Sequence, residues 1–228
     1  MQIRFYLGQM VNFSWKIRVF WAALSLTLGQ AGAVSAAGVP ENGVLVFDIV
    51  RNDEAIGTHT YRFDRSTDRT EVRIKTEINF RLFFIPVYRF EHESTEVWQD
   101  GKLSTLESIT NENGTPVRIQ VYQVEDALIV QTADGNFSVN REIIPASLWN
   151  RLILDRNQTL ATISGNLKKF KVQYMGAEEL KVRGKKVATQ HFHLTGEFER
   201  ELWYDKNDVL VGVRFEASDG STVAYILK

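Results

Sequence analysis

Between Glu71 and Leu82 the polarity of the chain reverses at nearly every residue. Val72, Ile74, Ile78, Phe80 and Leu82 share one parity, and Glu71, Arg73, Lys75, Glu77, Asn79 and Arg81 share the other. A helix would scatter both sets around its circumference; a strand puts them on opposite faces, one dry and one wet. The pattern recurs from Gly43 onward, punctuated by Asp100-Gly101, Asn113-Gly114, Asp134-Gly135, Arg183-Gly184 and Asp219-Gly220. In such dipeptides Gly takes φ > 0 at little cost, which closes tight hairpins. The alternation predicts strands at Val44–Arg51, Ile56–Arg65, Glu71–Leu82, Tyr88–Trp98, Lys102–Asn111, Pro116–Val124 and Ala127–Thr132. After an interruption it predicts Lys169–Met175, Glu179–Val182, Lys186–Thr195, Phe198–Asp205, Val209–Ala217 and Thr222–Leu227. In the interruption, Pro145 and Ser147 precede Leu148, Trp149, Leu152 and Ile153 at near-helical spacing, so a short helix is expected there. The expected fold is all-β: a large curved antiparallel sheet or open half-barrel, with the Pro145–Gly165 segment packed across it, forming a single domain over residues 37–228.

The first 36 residues read differently. Lys16 and Arg18 precede the apolar run Val19–Leu28, and Val34-Ser35-Ala36 places small residues at −3 and −1 of a cut after Ala36. That order is an export signal. The apolar run is about half the ~20 residues a membrane-spanning helix needs, so cleavage is expected rather than anchoring. Met10-Val-Asn-Phe-Ser-Trp-Lys is a more ordinary signal start than Met1, which points to initiation at Met10. The expected location is periplasmic or secreted, with no membrane span after cleavage. The segment holds Arg4, Lys16 and Arg18 and no acidic residue; taking these three from the 27 basic residues leaves 24 against 28 acidic ones, a balance of −4. An acidic chain is a poor ligand for nucleic acid. There is no cysteine, which excludes disulfides, thiolate catalysis and a lipidated cysteine within these residues.

The stretch from Leu82 to Tyr88 is apolar on both parities. Phe80, Leu82, Phe84, Tyr88 and Phe90 continue the dry face, while Phe83, Ile85 and Val87 interrupt the charges at Arg81, Arg89 and Glu91. Pro86 lacks an N–H, so an edge, a bulge or a bend between strands is expected there. The three odd-parity residues need a cover: the Trp149 segment, an apolar ligand or a partner. A transmembrane barrel is disfavoured by the charges on both faces at Arg89, Glu91, His92, Glu93 and Glu96.

His59 shares a parity with Tyr61 and Phe63, and His92 with Tyr88, Phe90, Glu96 and Trp98. If both imidazoles face inward, Glu96 could orient one of them, an arrangement equally common in structural networks. His191 and His193 point the same way from one strand and could share a metal, yet no third ligand is identified by spacing and two solvated histidines give the same pattern. No metal or cofactor is expected. No GxSxG, SxxK or phosphate-binding glycine loop is present. The triplets at Asn113, Asn136 and Asn157 match a glycosylation pattern short enough to arise by chance.

Several segments together resemble a known family: LVFDIVRNDEAIGTHTYRF from Leu45, FFIPVYRFEHESTEVWQDGKLSTLESITNENG from Phe83, SLWN from Ser147 and LWYDKNDVLVGVRFEA from Leu202. They resemble the secreted bacterial domain of unknown function family 6134, over about Leu45 to Leu227. TEVWxDGxLxxLxS and LWYD are the specific parts, and Asp208 stands where Gly is usual. The resemblance implies an exported β-rich domain and brings no activity. By architecture alone the chain is similar to half-barrels that carry lipoproteins across the periplasm. The expected function is a non-enzymatic binding module for an apolar or lipid-like molecule, with Phe83, Ile85, Val87, His59, His92 and Glu96 as candidate ligand contacts. The alternatives are a scaffold or assembly factor that binds an envelope protein along an edge near Pro86, and a metal-assisted hydrolase using the histidines.

Overall fold

A computed structural model describes residues 38–82 and 85–228, with backbone only for residues 81, 82 and 85–87. The expected all-β curved sheet is present. Its strands are β1 (Val44–Arg51), β2 (Glu54–Arg65), β3 (Arg69–Leu82), β4 (Ile85–Gln99), β5 (Lys102–Glu112), β6 (Thr115–Val124), β7 (Ala127–Thr132) and β8 (Gly135–Asn140). After the crossing segment come β11 (Leu167–Val182), β12 (Lys185–Gly196), β13 (Arg200–Asp205), β14 (Leu210–Glu216) and β15 (Thr222–Leu227), and the segment itself contributes the short β9 (Ile144–Pro145) and β10 (Gln158–Leu160). All fifteen join one sheet in the order β8-β7-β6-β5-β4-β3-β2-β1-β15-β14-β13-β12-β11-β10-β9. Two meanders thus meet where β1 pairs antiparallel with β15, Phe47 opposite Leu227. β8 and β9 end the sheet without pairing, so it stays open.

Turn chemistry sets the hairpins. Asp100-Gly101, Asn113-Gly114 and Arg183-Gly184 each have positive φ at both residues, the twist a two-residue hairpin demands. Asp208, where Gly is usual in the resembling family, keeps the left-handed φ of 62°. Asp tolerates that region better than most residues, and its carboxylate meets Arg151 at 3.0 Å. Gly57 has another role. A Cβ there would lie 2.1 Å from the Glu77 carbonyl oxygen, so only glycine lets β2 approach β3 so closely.

The short helix expected in the crossing segment is a single 3-10 turn at Arg151–Asp155, whose N-cap is Asn150. Leu148 sits at φ 69°, which no right-handed helix accommodates. One expectation needs correction. Gly176–Glu178 does not separate two strands: β11 runs through it, with Met175 as the extra residue of a bulge and Gly176 at φ 119° beside it. β8 was unforeseen because Gly135–Asn140 carries only Phe137 and Val139 as apolar residues.

The crossing segment is bolted to both wings of the sheet. Tyr61 of β2 donates to the Ser147 carbonyl at 2.5 Å, Ser108 of β5 to the Thr162 carbonyl at 2.7 Å, and Tyr204 of β13 to the Leu148 carbonyl at 2.7 Å. These hydroxyls satisfy carbonyls that irregular buried backbone would otherwise leave unpaired. Trp149 packs edge-on against Trp98 and Phe63. One core cluster therefore contains residues of both wings and of the segment, from Leu128 through Trp149 to Leu202. The outer face stays wet, with Lys75 bridging Glu77 at 2.9 Å and Glu93 at 3.4 Å. Among the described residues no helix is long and apolar enough to cross a membrane.

Candidate functional site

Antiparallel register sorts the inner face of β2–β5 into rows. Phe63, Val72, Glu96 and Leu106 lie opposite one another, then Tyr61, Ile74, Ser94 and Ser108, then His59, Thr76, His92 and Thr110, then Gly57, Ile78, Phe90 and Glu112. Histidine and threonine thus alternate across four strands in a straight, wholly polar row, while the adjoining rows mix apolar residues with Ser94, Ser108 and Glu112. His59 Nδ1 lies 2.6 Å from Thr76 Oγ1, and His92 Nδ1 lies 2.7 Å from Thr110 Oγ1. His59 Nε2 and Ser94 Oγ have no partner among the described residues.

Over these rows lies a cavity of about 760 Å³, within the roughly 300–1,000 Å³ usual for small-molecule sites. One wall is the inner face of β2–β4, including His59, Thr76, Ile78, Phe80, Tyr88, Phe90, His92 and Ser94. Facing it are Val213, Phe215, Val223 and Tyr225 from β14 and β15, and the crossing segment adds Leu148 and Ile163. The cavity marks where the core divides. A second, small cluster of Ile49, Ile56 and Val223 packs with Ile78, Phe80 and Ala217, and only Phe215 and Tyr225 also touch the main core. The charged residues of the lining are Arg51, Lys168, Arg200, Glu112, Glu197 and Asp219. Arg51 pairs with Asp219 and lies over the Phe80 ring, while the Arg200 guanidinium lies 4.1 Å from the Phe215 ring centre.

Electrostatically the polar row is neutral. Burial, with a smaller contribution from the neighbouring His92, holds the His59 imidazole down to about 3. Burial alone holds His92 down to about 4. Both rings are therefore uncharged at neutral pH, with hydrogen-bonding capacity and no cation.

Glu96 stands apart. It is fully buried and outside the cavity lining, and its Oε2 accepts from the indoles of Trp98 and Trp149, each at 2.9 Å. It orients neither imidazole; threonines do that. Burial raises the Glu96 pKa, against the two indole hydrogen bonds and the nearby Ser147 hydroxyl. That hydroxyl favours the charged form without completing a hydrogen bond, since Ser147 Oγ and Glu96 Oε1 are both unpartnered. Of the odd-parity apolar trio, Phe83 lies outside the described residues, and Ile85 and Val87 are described in backbone alone. Their backbone forms the end of the β3–β4 hairpin: Pro86 faces Arg81 and Ile85 faces Leu82, with a register shift beyond Phe80. The proline thus stands beside a bulge, at Val87, near the start of β4.

His191 and His193 belong elsewhere. His191 stacks on Trp203 at 4.3 Å between centroids, with Nε2 3.0 Å from Glu201 and Nδ1 3.3 Å from Glu178, and His193 reaches Glu199 at 3.5 Å. Among the described residues no group of three or more His, Cys, Asp or Glu is placed to hold a metal ion. The residues that sequence reasoning passed over are Thr76, Thr110 and Ser94. Thr76 had a visible signal, as the one polar residue in the dry-parity series Val72, Ile74, Ile78, Phe80.

A family model described as a domain of unknown function, DUF6134, matches residues 47–228. The chain belongs to this family. Its DUF6134 signature residues are largely architectural here. In TEVWxDGxLxxLxS, Glu96, Trp98, Leu103, Leu106 and Ser108 all point inward and are buried, and Asp100-Gly101 is the turn. SLWN supplies the carbonyls held by Tyr61 and Tyr204, the Trp149 indole on Glu96, and the Asn150 cap. In LWYD, Asp205 Oδ1 accepts from the backbone N–H of Asn207 and Val209, fixing the next turn. No curated protein matches the DUF6134 chain. Among solved structures, a "putative lipoprotein" from Parabacteroides distasonis is similar with a TM-score of 0.36 and 11% identity, over 84% of this chain and 97% of that one.

Proposed function

We propose that the protein is an exported binding module that holds an apolar molecule in the cavity between β2–β4 and β14–β15. The observation that supports this is the cavity itself: about 760 Å³ walled by Ile78, Phe80, Phe90, Val213 and Phe215. Apolar side chains left facing a space of this size, rather than closed on one another, favour a bound apolar molecule. Export rests on the Lys16–Ala36 sequence pattern. Wall residues of an empty site lose little packing when altered, so binding and stability separate in a suitable variant.

Ser94→Leu is that variant. Ser94 is buried, lines the cavity and has no hydrogen-bond partner, so leucine adds bulk to the cavity wall without breaking a bond. The neutral dye Nile red should bind the wild type stoichiometrically and Ser94→Leu at least about tenfold more weakly, a loss of ~1.4 kcal/mol or more, with an unchanged or raised melting temperature. Equal binding by both proteins would locate the dye elsewhere and refute the reading. Native mass spectrometry of protein taken from its own envelope should show a co-purifying apolar molecule.

Strand addition of a protein partner is the competing reading. β10 pairs with β11 only at Leu167–Lys169, so the outer edge of β11 from Phe170 to Val182 has no strand neighbour among the described residues. That edge carries Lys171, Lys181 and the Gly176 bulge, the devices by which sheets discourage added strands. The cavity therefore carries the stronger functional reading.

A further inference from the structure

We infer that the molecule held in the cavity carries a neutral hydrogen-bonding group, a hydroxyl or a carbonyl, docked against the His59–Thr76–His92 row. This rests on the cavity being a ligand site and specifies the ligand's chemistry. The register shows that the row is built across strands: His59 opposes Thr76, Thr76 opposes His92, and His92 opposes Thr110. A purely hydrocarbon ligand would be served by valine or leucine at these inward positions, as at Ile74 and Ile78 in the adjoining rows. Burying imidazoles and hydroxyls instead costs desolvation that only hydrogen bonds offset. The threonines satisfy both Nδ1 atoms, at 2.6 and 2.7 Å. Three hydrogen-bonding atoms on cavity-lining residues remain unpartnered, His59 Nε2, Ser94 Oγ and Ser147 Oγ; of these only the His59 nitrogen belongs to the row, and His59 is only 7% exposed.

The chemistry of the row then narrows the class. Thr76 Oγ1 makes its one side-chain hydrogen bond to His59 Nδ1, so His59 Nε2 is a donor or an acceptor according to its tautomer. A hydroxyl meets either need, and a carbonyl meets the donor form. An ionised carboxylate or phosphate docked on the row would shed its hydration against neutral rings; the cations of the lining, Arg51, Lys168 and Arg200, stand on β1, β11 and β13 rather than in the row, and Arg51 is already paired with Asp219. The ligand class is a neutral amphiphile: a long-chain or polycyclic alcohol, or an apolar ketone or quinone.

Displacement of Nile red by three twelve-carbon probes tests this: dodecane, dodecan-1-ol and, at pH 7.5, dodecanoate. Dodecan-1-ol should bind about tenfold more tightly than dodecane, the worth of one buried hydrogen bond, and more tightly than dodecanoate. His59→Leu should erase the advantage of the alcohol, bringing dodecan-1-ol and dodecane to equal affinity. Equal binding of alcohol and alkane, a preference for dodecanoate, or an alcohol advantage that survives His59→Leu would each overturn the inference while leaving the apolar site intact. Failure of all three probes and of Nile red to bind would instead remove the site itself. Should His59→Leu not fold, the wild-type His59 ring ¹⁵N resonances answer the same question: dodecan-1-ol should shift Nε2 more than dodecane does, and identical shifts would overturn the inference.

Discussion

Replacing Glu96 with glutamine and with alanine should change stability in opposite directions. The carboxylate is wholly buried and holds two indole N–H groups on a single oxygen, while its other oxygen has no partner. In Glu96→Ala both indoles lose their acceptor inside the core. A buried donor left unsatisfied costs about 1–3 kcal/mol, so two predict a loss of about 2–6 kcal/mol, a large part of the ~5–15 kcal/mol that stabilises a typical domain. Glu96→Gln keeps a carbonyl oxygen for both indoles and removes the charge. Because burial raises the folded-state pKa above the ordinary carboxylate value of 4.5, the protonated form favours folding. Its contribution is complete below pH 4.5 and is lost as pH rises through the raised folded value. The difference between wild type and Glu96→Gln should therefore be small at pH 4 and grow in favour of glutamine by pH 7.5. Urea melts of all three proteins at both pH values measure this. An alanine variant within about 1 kcal/mol of wild type would show that the carboxylate is not the indoles' shared acceptor, and a glutamine variant that weakens as pH rises would reverse the electrostatic argument.

The cavity histidines carry the opposite dependence: with folded values of about 3 and 4 against 6.5, their neutral forms stabilise the fold above pH 6.5 and that stability is lost as pH falls toward 3. A His59→Gln/His92→Gln double variant should flatten this acid limb in melts from pH 7 to pH 4, and an unchanged limb would mean the rings are not buried. Gly57→Ala should destabilise by about 2 kcal/mol or more, because its methyl carbon would fall 2.1 Å from the Glu77 carbonyl oxygen; a silent substitution, read by thermal melt, would show that β2 and β3 can separate freely. N-terminal sequencing of envelope protein should begin at Ala37, and recovery of residues 10–36 on the mature chain would mean an anchor in place of a signal.

Strand positions were legible in the sequence because one face of each strand is wet, and alternation survives wherever that holds. Glu71–Leu82 is the clearest case, and the Gly-containing turns gave the hairpins directly. Legibility failed where the local pattern was overruled by tertiary contacts. Leu148, Trp149, Leu152 and Ile153 have helical spacing, yet Leu148 takes a left-handed φ because its carbonyl is held by Tyr204 and its neighbour's by Tyr61. The inward placement of His59 and His92 followed from parity, whereas their threonine partners did not. Which residue of one strand faces which of the next depends on the length and geometry of each turn, including the shift beyond Phe80. Glu96 looked like a histidine partner for the same reason: it shares the parity of His92 but lies two rows away, beside the tryptophans.

The junction of β1 with β15 bears on how the molecule assembles. Each wing is a run of neighbouring hairpins whose loops close quickly, because adjacent strands are only a turn apart. The seam between the wings joins Phe47 to Leu227 and Arg51 to Val223, residues separated by nearly the whole length of the domain. Two half-sheets can therefore form early and independently, each with an open strand awaiting the other, while the cavity walls from β2–β4 and β14–β15 come together only when the seam forms. A nascent chain crossing a membrane from its N-terminus would present one edge of β1, the edge away from β2, unpaired until β15 had followed it. The slow, aggregation-exposed step of folding and the creation of the cavity are then the same event, and any molecule spanning the two walls would hold the seam closed.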